Sequence, residues 1–199
     1  MNPPTHVLIN AAFRKLAAPQ IPARPFIIGG FVPDVPLTLL TAGMFVYTRF
    51  VLNGSDAQVR ATMTQIFDDR YFNDPVWIAA HNVLHSPTLL LIELALLWGF
   101  RERLGSPLRT MFYFLLGCLF HGIGDVLTHY NDGPVLFFPF DWHTRFYSPV
   151  SYWDPAHYGG QFAIFELALN LALLAYLIIP WLRRRRAANA RNPTSGEEG

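Results

Sequence analysis

The stretch "HGIGDVLTHYNDGPVLFFPFDWH", from His121 to His143, holds three of the chain's seven histidines and three aspartates. It directly follows an apolar run, "MFYFLLGCLF". His121 and Asp125 are four residues apart, a spacing that sets two helical side chains on one face with Cβ atoms about 5–6 Å apart. His81 and His85, in "HNVLH", repeat that spacing. Imidazoles and carboxylates so placed can grip one metal ion. Without thiolates, the set suits zinc, manganese or iron. His129 extends the His121 face to positions i, i+4 and i+8 if the helix persists that far. A looser pair joins His6, on a predicted first helix, with Asp34 in "GGFVPD".

Each of these has a plainer reading. Asp34 stands where a helix N-cap is expected. His6 fits the surface of an amphipathic helix, and His129 fits a structural residue just past a helix end. Two acids lie deeper in apolar surroundings. Glu93 is two turns below His85. Glu166 is about one turn inside the last apolar segment, which makes it a candidate ligand, an acceptor for a ligating imidazole or a general base. The plainer reading of both is a buried, hydrogen-bonded acid.

These residues need elements to position them, and the hydropathy supplies candidates. A membrane-spanning helix requires about 20 mostly apolar residues. Three segments qualify: Pro87–Phe100 extended backwards through "VWIAAHNVLHS", Leu108–Val126, and Phe162–Leu182. A fourth, Pro36–Leu52, is shorter and contains Arg49. The expectation is an all-α, integral-membrane bundle of three to four transmembrane helices with a metal site at one membrane face. The alternative is a soluble all-α core. "RRRR" at Arg183–Arg186 and the "RERLGSPLR" turn both mark cytoplasmic ends by the positive-inside rule. The tail is then cytoplasmic, and the histidine pairs lie towards the outer face. Residues 54–74 are too polar to cross lipid, so Pro36–Leu52 is expected to form half of a helical hairpin packed against the bundle or half-inserted.

The smaller pieces follow. Thr5–Leu16 reads as a short helix with Thr5 as N-cap, and residues 18–25 as a Pro/Ala linker. Residues 131–160 form a long aromatic loop, a length that usually signals function. Residues 1–186 make one membrane-embedded domain, and 187–199 a disordered polar tail. No signal peptide is evident. The single cysteine, Cys118, excludes an internal disulfide and any multi-cysteine zinc site. With a net charge of only +1, no nucleic-acid partner is expected.

In order along the chain come "TH", "GGFVPDVP", "AHNVLHSPTLL" and "FHGIGDVLTHYNDGPVLFFPFDWHTRFYSP". This series resembles the LexA-regulated, membrane-bound metal-dependent hydrolases, the YdjM-like family, over roughly residues 5–150. His121, Asp125, Thr128, Gly133 and Pro139 fall in register with that family's most specific block, as does His85–Ser86. The family is distantly similar to the zinc-dependent phospholipases C. The resemblance implies His6, Asp34, His81, His85, His121 and Asp125 as ligands, zinc as the first candidate ion, and a bacterial inner membrane. The chain departs from the pattern at Pro36, Asn82 and Leu84, where the family has aspartate, arginine and threonine. It adds His129, His143 and His157.

Three functions compete. The first is hydrolysis of a phosphate or carboxylic ester, on a small-molecule or lipid-linked substrate, by metal-activated water. Glu166, His129 and His143 are its candidate catalytic groups. Asp141 and Arg145 are candidate substrate contacts, with Asp154 and His157 beside them. Arg145 suits an anionic group. Trp142, Tyr147, Tyr152, Trp153 and Tyr158 place the loop at headgroup depth, either as a cover over the site or as a simple anchor. The second function is a small permease using Glu93, Glu166 and Asn170; the chain shows no inverted repeat. The third is a membrane protein whose metal only staples helices.

Overall fold

Proline opens most of the helices. Its fixed φ suits the first turn, where its missing N–H would be unpaired in any case. In the computed structural model, which describes residues 1–191, such prolines begin α1 (Pro3–Leu16), α3 (Val35–Val46), α6 (Pro75–Asn82), α7 (Pro87–Leu97) and α8 (Pro107–Thr128). The other helices are α2 (Ala23–Ile28), α4 (Asp56–Gln65), the single turn α5 (Tyr71–Asn73) and α9 (Gly159–Arg191). Side-chain caps fix three starts: Asp74 on Val76 N, Ser106 on Leu108 N, and a Ser55–Gln58 capping box at α4. No strand occurs among the described residues; one isolated bridge pairs Val135 with Arg145.

Two helices are long and apolar enough to cross a membrane, α8 and Gly159–Ala187 of α9. The α6–α7 pair forms a third span only if its 51° bend is counted as one crossing. That bend falls at Ser86–Pro87, where proline disfavours helix at the residue before it. The α9 span is 6% buried against 44% for α8. Its exposed leucines and isoleucines therefore face lipid. The fourth candidate segment is not a span. It forms α3 and a π-helical turn at Tyr47–Val51, then returns through α4 as the expected hairpin. Arg49 closes that turn, bonding Gly54 O at 2.9 Å and pairing with Asp56 at 3.0 Å.

The core lies where α2 and α7 pack on α8, around Phe26, Leu90, Phe112, Leu115 and Cys118. Glycine allows the closest approach. A methyl group on Gly117 would overlap the Phe26 carbonyl oxygen, and one on Gly122 would overlap that of His85. These contacts press α2 and the α6–α7 bend onto the α8 face that carries His121 and Asp125.

Several expectations need correction. Helix α1 starts at Pro3 behind Asn2, so Thr5 lies inside it rather than capping it. The expected linker over residues 18–25 runs into the first half of α2. Residues 187–191 continue α9 rather than beginning the tail, and 192–199 lie outside the described residues.

Candidate metal centre

Four side chains from three parts of the fold converge. Asp34 ends a 3-10 turn just before α3 and makes no capping hydrogen bond there, contrary to its plainer reading. His85 stands in the α6–α7 bend, and His121 and Asp125 lie one turn apart on α8. One ligand atom from each lies within 4.8 Å of all the others. His121 Nε2 is 3.0 Å from Asp125 Oδ2 and 3.5 Å from Asp34 Oδ1. His85 Nε2 is 3.4 Å from Asp34 Oδ1, 3.5 Å from Asp125 Oδ2 and 3.1 Å from His121 Nε2. Four ligands on tetrahedral bonds of about 2.0–2.1 Å would stand about 3.3 Å apart. The observed separations bracket that value.

The protonation pattern points the same way. His85 Nδ1 is 2.6 Å from the His81 carbonyl oxygen, and His121 Nδ1 is 3.0 Å from that of Gly30. A carbonyl only accepts, so both Nδ1 atoms carry protons. In neutral rings each Nε2 is then a bare lone pair. Two lone pairs and the facing oxygens of two carboxylates converge on one buried point with no donor among them; the Met1 ammonium donates to the other oxygen of Asp125, Oδ1, at 3.0 Å. A single proton satisfies one of these contacts, whereas a cation satisfies all four. Backbone carbonyls that orient ligating imidazoles are the usual outer partners of such sites. The residues present therefore fit a divalent transition metal.

The other histidines crowd the same carboxylate. His6 stacks on His121, with ring centroids 3.8 Å apart, and its Nε2 lies 2.9 Å from Asp125 Oδ1 at an angle unsuited to a hydrogen bond. Burial lowers its pKa despite that aspartate. His129 sits just past the end of α8, in extended conformation, so the i+8 helical position is not realised. Its Nε2 is still 3.6 Å from Asp125 Oδ1, and its Nδ1 is 3.2 Å from Asp132. Burial opposes the charge on His129, but the two carboxylates prevail and raise its pKa. His81 leans on the His85 ring and meets Tyr71 Oη at 3.0 Å.

Residues 1–187 match the family model described as YdjM inner membrane protein. The chain belongs to that family. Comparison with curated proteins and with solved structures returns no match. This YdjM-family chain is thus an integral membrane protein, as the sequence motifs led us to expect, and it carries a buried Asp/His/His/Asp group able to bind a metal.

Of the six implied ligands, four form the central group. His6 and His81 abut it, through Asp125 and His85 respectively. Glu166 lies elsewhere. Its carboxylate accepts from Asn2 N (2.7 Å), Asn2 Nδ2 (2.6 Å) and Thr5 Oγ1 (2.8 Å), clamping the start of α1 to α9. His143 is exposed on the loop. Asp141 closes a local turn by accepting from His143 N and from Thr144, and those bonds lower its pKa. Arg145 braces the loop, donating to Gly133 O at 2.8 Å and lying over the Phe72 and Tyr71 rings. His157 pairs with Asp154 at 2.7 Å and stacks on Tyr130.

A cavity of about 850 Å³ opens beside the group. Asp34, Asp125, His81 and His129 line it, and so do Tyr71 and Asp132, which the sequence did not single out. Tyr71 Oη donates to the Asp132 carbonyl at 2.6 Å. Burial raises the Tyr71 pKa, so it stays a neutral phenol. Asn82, where the family pattern has arginine, accepts from Val135 N at 2.6 Å, and Ser86 donates to Leu136 O and Phe138 O. These two residues hold the aromatic loop against the bend.

Proposed function

We propose that this protein is a membrane-embedded, metal-dependent hydrolase of phosphate or carboxylic esters, with zinc as its ion. One observation carries the reading: the two carboxylates of the ligand group also line a cavity large enough for a substrate. Asp34, His85, His121 and Asp125 would hold the ion. In that setting a divalent cation supplies Lewis acidity, polarising the substrate oxygen and bringing the pKa of water towards about 7. Asp34, with a side chain 30% exposed, is the ligand on the open side. The water oxygen bonds to the acyl carbon or phosphorus, and the ester C–O or P–O bond breaks. The leaving alcohol needs a proton. His129 lines the cavity and would be the donor of that proton. Asp132 orients the ring from the far side. Tyr152 and Trp153 close the cavity rim, limiting the entry of bulk water.

The site would face the outer side of the membrane, with Arg183–Arg186 on the cytoplasmic side. That orientation rests on the arginine clusters alone.

One observation favours a second reading, in which the metal is a staple. Four protein ligands complete a tetrahedral shell, as structural zinc sites do. The test is metal analysis of purified protein followed by turnover. The hydrolase reading expects about one or more zinc equivalents per chain and chelator-sensitive cleavage of p-nitrophenyl esters or bis-p-nitrophenyl phosphate. His129→Gln should lower turnover while retaining the metal. Metal without turnover on either panel would leave the staple.

A further inference from the structure

The cavity does not end at the metal group. Leu37, Thr38 and Phe67 line it and also line a second depression of about 420 Å³ between α3 and α4. That groove runs on past Thr41 and Ala42 to Phe45, with Met63 opposite. Leu37, Thr41 and Phe45 recur every fourth residue, so one face of α3 lines it over about 12 Å. Met63 and Phe67 share the same spacing across the gap. The threonines do not make the groove polar. Thr38 Oγ1 donates to Asp34 O at 2.8 Å and Thr41 Oγ1 to Leu37 O at 2.9 Å. Both hydroxyls are thereby turned back onto their own helix, which leaves their methyl groups to the groove. No residue of α3 is fully buried, and the helix is apolar almost throughout. The groove is therefore open along its length rather than enclosed by other elements.

A single continuous space thus has carboxylates and imidazoles at one end and only apolar side chains at the other. We infer that the substrate is an amphiphile: its ester or phosphate group sits beside Asp34 and Asp125, and one alkyl chain lies between α3 and α4. The inference rests on the hydrolase reading for the reaction, but the groove predicts chain binding whether or not the bond is cleaved. The alkyl chain would enter laterally, along the open face of the hairpin. Specificity then lies in chain length. A chain too short to reach Phe45 leaves part of the groove empty.

The experiment uses the full chain, zinc-loaded, in lipid nanodiscs. A decyl phosphonate with a diazirine at mid-chain is photolysed, and adducts are mapped by mass spectrometry. Adducts should concentrate on residues 37–45 and 63–67 and fall severalfold with excess unlabelled decyl phosphonate. Adducts spread over the exposed faces of α9 and indifferent to competitor would overturn the inference. In parallel, hydrolysis of butyryl and decanoyl p-nitrophenyl esters is compared. Ala42→Trp, which fills the groove, should lower the decanoyl-to-butyryl ratio by about tenfold or more, the scale of discrimination set by lost apolar contacts. Thr41→Phe is the companion variant should Ala42→Trp fold poorly. A competed footprint without turnover keeps the groove and removes the hydrolase reading. Turnover independent of chain length, with no competed footprint, removes the groove and keeps the hydrolase.

Discussion

At the scale of single residues, the chain divides its acids by what faces them. Asp34 and Asp125 meet imidazole nitrogens, whereas Glu166 meets the Asn2 amide groups and the Thr5 hydroxyl. Asp125→Ala and His121→Ala should each weaken zinc binding by more than the 10–100-fold, roughly, that losing an outer partner costs; competitive chelator titration measures this. Glu166→Gln should keep the zinc but destabilise the protein by about 1–3 kcal/mol, because an amide NH2 would face the donors the carboxylate now satisfies. Thermal unfolding with parallel metal analysis separates the two roles. His129 and Asp132 make a pH-sensitive pair. Burial opposes charge on both, but Asp125 and then Asp132 raise the pKa of His129, and His129 in turn lowers that of Asp132. Asp132 contributes fully above the ordinary carboxylate value of about 4, and its share disappears as pH falls through its lowered pKa. The share of His129 is complete below about pH 6.5 and disappears as pH rises through its raised pKa. In metal-stripped protein, Asp132→Asn should therefore move the alkaline loss of stability to lower pH and shrink the acid limb.

At the scale of elements, glycine contacts decide how closely helices approach, and the site depends on that closeness. Gly117→Ala drives a methyl group into the Phe26 carbonyl oxygen. Backbone must move to relieve it, at a cost of about 1–3 kcal/mol. The shift also displaces the Gly30 carbonyl that orients His121, so zinc affinity should fall with stability. Gly160→Ala, where a methyl group meets nothing, should change stability by no more than about 0.5 kcal/mol and leave zinc binding intact. Helix types and starts were largely legible in the sequence, because proline and apolar runs act locally. The last apolar segment, the α8 run and the hairpin all occur where hydropathy places them. The bend at Ser86–Pro87 was not foreseen, although its proline was visible. Nor was the role of Tyr71, which sits in a polar stretch with no motif and acquires its place only when α5 folds against α6.

At the scale of the whole molecule, a metal held by this group would tie the start of α3, the α6–α7 bend and α8 into one unit. A ligand present at 1,000 times its dissociation constant stabilises by about 4 kcal/mol. For a chain of this size that is on the order of 10 °C in unfolding temperature. EDTA should lower the thermal midpoint by that amount, and added zinc should restore it. Orientation has its own test. Single-cysteine variants carrying Cys118→Ala, with a new cysteine at Ala187 or at Tyr158, should react with a membrane-impermeant maleimide in intact cells only at Tyr158.

The sequence alone pointed to the class of the protein through its apolar run lengths, and the i,i+4 spacing of His121 and Asp125 is realised because both lie on α8, whereas His85 stands in the bend beyond the end of α6. Through its resemblance to a known family it also named six candidate ligands, and the four residues that converge are among them. Only the tertiary structure decided which candidates meet. Glu166 and Asp125 both lie in apolar helices, and although only Asp125 has histidines four residues to either side, that spacing does not exclude Glu166 from the same site. What separates them is the residue pressed against each from a distant part of the chain, a matter of helix approach that glycine contacts and loop anchoring settle far from either acid.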